Sequence, residues 1–215
     1  MNIAVLASGG GTNLQALLDA CREEPAAHVA LVASDRPGNR ALERARAAGV
    51  ATHVLADPSD AGALLDLLRT HDVSLVVLAG YLKLVPDAVV QALWGRMLNL
   101  HPALLPAFGG AGMYGKRVHE AVLASGATVS GATVHLVSAE YDRGPIVAQW
   151  PVPVAPDDTP DTLAARVHAI EHKLLPAVVL AAARAGAVVR LLPSGGAFEI
   201  GKTEGSSPLA VSGSL

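Results

Sequence analysis

Four times in its first hundred residues the chain repeats one pattern: a short apolar run, then a stretch with helical spacing or composition. A fifth apolar run closes the series. The runs are 3–7, 29–34, 52–55, 73–78 and 98–100. Between them, Leu14, Leu17, Leu18 and Cys21 recur at every third or fourth position, 40–48 is built of Ala, Arg and Glu, and 61–68 follows a turn at Asp57-Pro58-Ser59-Asp60. Pro86 heads the segment 87–94, where its absent N–H costs a helix little. Strict alternation of this kind builds βαβ units around a parallel sheet. The run 73–78 is wholly apolar after Ser74, as befits a strand covered on both faces. The expected class is therefore α/β, with helices on both faces of a central, mostly parallel sheet.

The pattern changes after residue 106. The segment 107–115 holds four glycines in nine residues and reads as a mobile loop. A helix over 118–125, closed by Gly126, precedes a long alternating strand over 128–137. A loop at 138–145 and a returning strand over 146–154, antiparallel to the one before, complete the sheet. Thr159 and Pro160 open a long helix to about residue 184, and Pro176 predicts a kink or break within it. Residues 188–192 read as a last edge strand. From Ser194 the chain is rich in Gly and Ser without periodicity, so the expectation is one domain over 1–193 and a disordered tail over 194–215.

Of the 215 residues, 51% are hydrophobic and 16% charged, which excludes a disordered chain, and the net charge of −3 shows no basic stripe for nucleic acid. No apolar run has the length of a membrane span. Cys21 is the single cysteine, so neither an internal disulfide nor a cysteine-based metal site is available. These features point to a cytoplasmic protein with no metal, no nucleic acid and no membrane partner.

Two stretches carry chemistry. Ser8-Gly9-Gly10-Gly11-Thr12-Asn13-Leu14-Gln15 joins a strand to a helix, and glycines there let backbone N–H groups approach an anion. It lacks the Lys-Ser/Thr of an NTP-binding loop and the final small residue of a dinucleotide fingerprint, so a single phosphate suits it better. The plain alternative is a tight turn with Thr12 capping the helix. In Leu98-Asn99-Leu100-His101-Pro102, Asn99 and His101 leave the same face of a strand that Pro102 ends. An amide can hold an oxyanion and an imidazole can move a proton. The alternative is a capping Asn and a half-buried His. Asp142 could raise the pKa of a nearby imidazole. By pattern alone, however, it is a turn former before Gly144.

Taken together, Asn99-Leu100-His101-Pro102, Leu104-Leu105-Pro106, Gly131-Ala132-Thr133-Val134-His135 and Asp142-Arg143-Gly144-Pro145-Ile146 resemble the folate-dependent formyltransferase family. The opening glycine loop is similar to the branch that formylates glycinamide ribonucleotide in purine biosynthesis. The resemblance runs from residue 1 to about 192 and implies a Rossmann-like formyltransferase fold. It implies that 10-formyltetrahydrofolate is the formyl donor. Asn99 would then hold the formyl oxygen, and His101 would protonate the leaving nitrogen. Asp142 would raise the His101 pKa and order a water. Gly11, Thr12 and Asn13 would hold the 5′-phosphate, with His168 and Glu171 reaching the nucleotide. The pterin would lie between Leu82, Lys83, Leu84 and Val85 and the loop Ser138, Ala139, Glu140, Tyr141 and Asp142, with Asn99 also in contact. His135 and Thr133 match recurrent strand positions of second rank. Many relatives carry Met-Arg-Ile at 82–84 and an Arg within 57–64, and this chain has neither. A monomer or a homodimer is expected.

Other members of the family stay open as alternatives. Methionyl-tRNA formyltransferase shares the Asn/His/Asp set but adds a tRNA-binding domain. Formyltetrahydrofolate deformylase shares more of the motifs but is a hydrolase with a regulatory domain. A ligand-binding module without activity is the third.

Overall fold

Each of the five apolar runs forms a strand: β1 (Asn2–Leu6), β2 (His28–Ser34), β3 (Ala51–Val54), β4 (Leu75–Leu78) and β5 (Met97–His101). Helices α1 (Thr12–Cys21), α2 (Arg40–Ala47), α3 (Ala61–Thr70) and α4 (Asp87–Ala92) connect them. Beyond these come α5 (Lys116–Ala124), β6 (Val129–Leu136), β7 (Ile146–Pro153) and α6 (Pro160–Ala185). The computed structural model describes residues 1–191 and the backbone of 197–199.

The main sheet has the order β3-β2-β1-β4-β5-β6-β7. The first five strands pair in parallel, and β6 and β7 run antiparallel. This is the expected α/β architecture. Successive strand side chains point to opposite faces, so β1 feeds two cores. Ile3 and Val5 pack with Leu14 and Leu17 of α1 and Leu175 and Val178 of α6. Ala4 and Leu6 pack with Leu64 and Leu68 of α3 and Val89 and Val90 of α4.

Strand order reverses between β1 and β4, and the carboxyl ends of strands at such a point form a crevice suited to ligands. Ser8 ties that crevice together. Its N–H donates to Gly80 O at 3.0 Å, its hydroxyl donates to Asp35 Oδ1 at 2.6 Å, and Leu82 N–H donates to the same hydroxyl at 3.0 Å. The ends of β1, β2 and β4 are thus linked by one short side chain.

Three expectations need correction. Gly11, with φ of 70°, occupies the N-cap of α1 and no side chain caps the helix, so Thr12 is its exposed first residue rather than its cap. Pro176 does not break α6, which runs for 26 residues from a Thr159 capping box. A buried stripe including Leu174, Leu175, Val178 and Val179 surrounds it. Each such side chain contributes roughly 1.5–3 kcal/mol on burial, against about 3 kcal/mol for an interior proline. Val189–Leu191 (β8) is not an edge strand of the main sheet. It pairs antiparallel with Ala197–Glu199 (β9) in a separate two-stranded sheet. That strand falls inside the segment read as a disordered tail; the remainder of that segment, 194–196 and 200–215, lies outside the described residues. No described helix is long and apolar enough to cross a membrane.

The loop after β6 turns back very tightly. A Cβ on Gly144 would fall 1.7 Å from the Leu136 carbonyl oxygen, and that neighbour is backbone that cannot rotate away. We expect Gly144→Ala to lower stability by about 3 kcal/mol, the upper range of overpacking. Urea denaturation would show the loss, and an unchanged midpoint would contradict this account of the turn.

Candidate active site

Antiparallel pairing sets Asn99 opposite His135 and His101 opposite Thr133. Asp142 arrives from the following loop with φ of 57°, a left-handed conformation that few non-glycine residues adopt. There its carboxylate accepts from Asn99 Nδ2 at 3.2 Å and from the Gly110 N–H at 2.9 Å. His101 Nδ1 lies 3.4 Å from Oδ2, and His135 Nε2 lies 3.5 Å from Oδ1. Asn99, His101 and Asp142, separated by up to 43 residues, therefore meet.

The hydrogen-bond partners define the protonation pattern. His135 Nδ1 faces the Leu136 carbonyl at 2.8 Å, which only accepts, so the proton sits on Nδ1. Nε2 is then free to accept from Asn99 Nδ2 at 2.9 Å. Both amide hydrogens of Asn99 are thus engaged, one by Asp142 and one by His135. A ligand oxygen that takes an Asn99 hydrogen therefore displaces one of these partners. Likewise, His101 Nε2 donates to the Phe108 carbonyl at 2.8 Å.

A second correction concerns His101, which is 3% exposed. Burial pushes its imidazolium pKa down, outweighing the upward pull of Asp142 and of the Phe108 carbonyl. The expected net rise is therefore reversed, because desolvation of a buried cation exceeds one ion-pair gain. Burial of Asp142 would raise its own pKa, but contact with His135, the charge of His101 and the Gly110 N–H hold it below the usual carboxylate range.

These groups line one cavity of about 610 Å³, within the size range of small-molecule sites. Leu82, Lys83, Leu84 and Val85 form part of its wall, as do Ser138, Glu140 and Tyr141, whereas Ala139 does not. At the far side Asn13, His168 and Glu171 take part. Asn13 Nδ2 donates to Glu171 Oε2 at 2.9 Å, so the glycine loop and α6 are joined there. Gly11 and Thr12 lie outside the cavity lining. Thr133 also lies outside it and is fully buried. Its hydroxyl donates to Ala103 O at 2.6 Å and accepts from Leu105 N–H at 3.1 Å, pinning the turn that follows His101.

Sequence reasoning missed several lining residues. Lys116, His119 and Asp161 all face the cavity, and Lys116 pairs with Asp161 across the starts of α5 and α6. His119 was readable as a polar residue beside Val118 and Val122 on the buried side of α5.

The chain belongs to the formyl transferase family, whose sequence pattern matches residues 1–179. It is 46% identical to the chloroplastic phosphoribosylglycinamide formyltransferase of Arabidopsis thaliana over 82% of its own length and 63% of that protein's. It therefore spans less than two thirds of that plant relative. It is 37% identical to phosphoribosylglycinamide formyltransferase of Bacillus subtilis (strain 168), covering 82% of this chain and 91% of that one. Among solved structures, glycinamide ribonucleotide transformylase 1 from Symbiobacterium toebii superposes with a TM-score of 0.79 at 44% identity, covering 86% and 88% of the two chains.

His119 gives the site a measurable pH signature. It is 2% exposed, its Nδ1 has no partner, and burial, aided by His168 and His101, lowers its pKa from 6.5 to about 4. The unfolded chain therefore binds a proton between these values that the folded chain refuses. Stability from this residue is whole above pH 6.5 and is lost as pH falls towards about 4, by up to ~3 kcal/mol. We expect His119→Gln to flatten the decline in folding free energy across that window, and parallel pH profiles for both proteins would contradict it.

Proposed function

We propose that this protein transfers the formyl group of 10-formyltetrahydrofolate to the amino group of glycinamide ribonucleotide, a step of purine biosynthesis. The observation that carries the reading is the meeting of Asn99, His101 and Asp142 on one wall of a cavity that also reaches Asn13 and Glu171 beside the glycine loop. The names of the similar plant and bacterial proteins agree with it. The compartment we assign is the cytoplasm, and the active unit is a monomer or a homodimer.

The balance of the reaction is simple. A bond forms between the attacking amine and the formyl carbon, the bond from that carbon to the folate nitrogen breaks, and one proton passes from amine to leaving nitrogen. Asn99 takes the developing oxyanion by giving up its hydrogen bond to His135 or Asp142. His101 moves the proton. Because burial makes its imidazolium a stronger acid than usual, it is suited to protonating a weakly basic leaving nitrogen. Its Nε2–H reaches substrate only when released from the Phe108 carbonyl. Asp142, ionised and flanked by both imidazoles, steadies the charged His101 while the proton is in transit.

The apolar walls from Leu82 to Val85 and the facing loop through Tyr141 fit a flat ring system, and this is where the folate is placed. Lys83 keeps one cationic group beside that ring. Glu171, 3% exposed, is an acceptor for ribose hydroxyls, and the amides of Gly11, Thr12 and Asn13 hold the phosphate.

Absorbance change of 10-formyltetrahydrofolate, with and without glycinamide ribonucleotide, tests the reading. Consumption is expected only with the nucleotide, and consumption without it would replace the transferase with a hydrolase. Asn99→Ala should lower kcat by about two to three powers of ten, the usual cost of one oxyanion donor. Full activity in that variant would remove Asn99 from the chemistry.

A further inference from the structure

Arg44 lies on α2, outside the cavity lining and outside every motif named so far. Its Nε–H donates to the Gly10 carbonyl at 3.0 Å, and its Nη1–H donates to Gln15 Oε1 at 3.1 Å. One residue earlier in the loop, the Ala41 N–H in the first turn of the same helix donates to the Gly9 carbonyl at 3.3 Å. Two successive carbonyls of the glycine loop are therefore drawn towards α2.

The consequence follows from peptide geometry. A trans peptide is planar, so a carbonyl and the next residue's N–H point in opposite directions. Holding the Gly9 and Gly10 carbonyls on α2 turns the N–H groups of Gly10 and Gly11 away from it. The first amides of α1 follow at once, and those lack partners within their own helix. The result is a run of consecutive N–H groups facing one side, the arrangement that receives an anion. The loop is tightest against α2 at its last glycine. Gly11 sits at φ of 70°, and a Cβ there would fall 2.7 Å from Ala41 Cα.

We infer that Arg44 is a positioning residue for the substrate's phosphate: it orients the Gly10–Gly11 peptide from behind and adds a fixed positive charge, without contacting the phosphate. This rests on the nucleotide reading given above and deepens it. A guanidinium does this where an ammonium does not, because its planar fork serves Gly10 and Gln15 together. The link to Gln15 also ties the first turn of α1 to α2, so loop and helix start move as one unit.

The test separates phosphate positioning from general support. Full-length protein and the variants Arg44→Ala and Arg44→Lys would be assayed with glycinamide ribonucleotide and with its dephosphorylated nucleoside, at saturating 10-formyltetrahydrofolate. Arg44→Ala should raise KM for the nucleotide about tenfold, the scale of one charge-assisted contact, with kcat within about twofold. KM for the folate and kcat/KM for the nucleoside should not change. Arg44→Lys should fall between the two proteins. Inorganic phosphate should raise the Tm of the parent protein and raise that of either variant less. This readout needs no activity, and Arg44→Lys supplies it if Arg44→Ala does not fold. Equal losses with nucleotide and nucleoside, or an unchanged nucleotide KM with an unchanged phosphate effect on Tm, would overturn the proposal. If the parent protein turned over without preference for the phosphorylated substrate, the nucleotide reading itself would fail, and with it the basis for Arg44.

Discussion

A carboxylate almost removed from water must be satisfied by its surroundings or lose its charge. Asp142 meets that demand with groups from two places: the Asn99 amide and His101 imidazole of β5, and the Gly110 N–H of the glycine-rich loop. Each comes from a segment that would otherwise be free to settle differently. The left-handed backbone at Asp142 and the close passage of Gly144 against the Leu136 carbonyl are the local strains that keep the carboxylate there. Glycine at 109 serves the same end, since a Cβ there would press on Leu105 and Asp142. This wall of the cavity is thus organised around one buried negative charge.

That charge also explains why the two histidines behave differently. His135 donates through Nδ1 to the Leu136 carbonyl, which turns its Nε2 towards the Asn99 amide. His101 faces two acceptors, Phe108 O and Asp142, yet burial disfavours the imidazolium those acceptors invite. Burial and the facing carboxylate thus act on the His101 imidazolium in opposite directions, and burial prevails. The opposite wall uses a second buried carboxylate. Glu171 occupies a core position of α6 and is held by Asn13, so the helix that closes the core also reaches the glycine loop.

Much of the sheet was legible because parallel strands covered on both faces must be apolar, and 3–7, 29–33 and 75–78 are. The long helix was legible from Thr159 and Pro160, and its passage through Pro176 was not, because burial of a flanking stripe decides that outcome. The site was legible in identity but not in connection. Residue types at 99, 101 and 142 named an amide, an imidazole and a carboxylate, and nothing in their spacing stated that Asn99 would have both hydrogens occupied. Desolvation of His101 is equally invisible in a string of letters, since it depends on what folds over the ring. Thr133 read as a strand residue near the site; its hydroxyl proved to hold the turn after His101.

The amino-acid order by itself determined the class of fold, the positions of the strands and the kinds of chemistry available, because apolar periodicity, glycine and proline act over a few residues. Tertiary structure alone decided which of those groups touch. Asp142 lies 43 residues from Asn99, and Glu171 lies 158 from Asn13. Contacts over such separations arise only when the strand order and the packing of α6 bring distant segments together, and the protonation of each buried group follows from the water those contacts exclude.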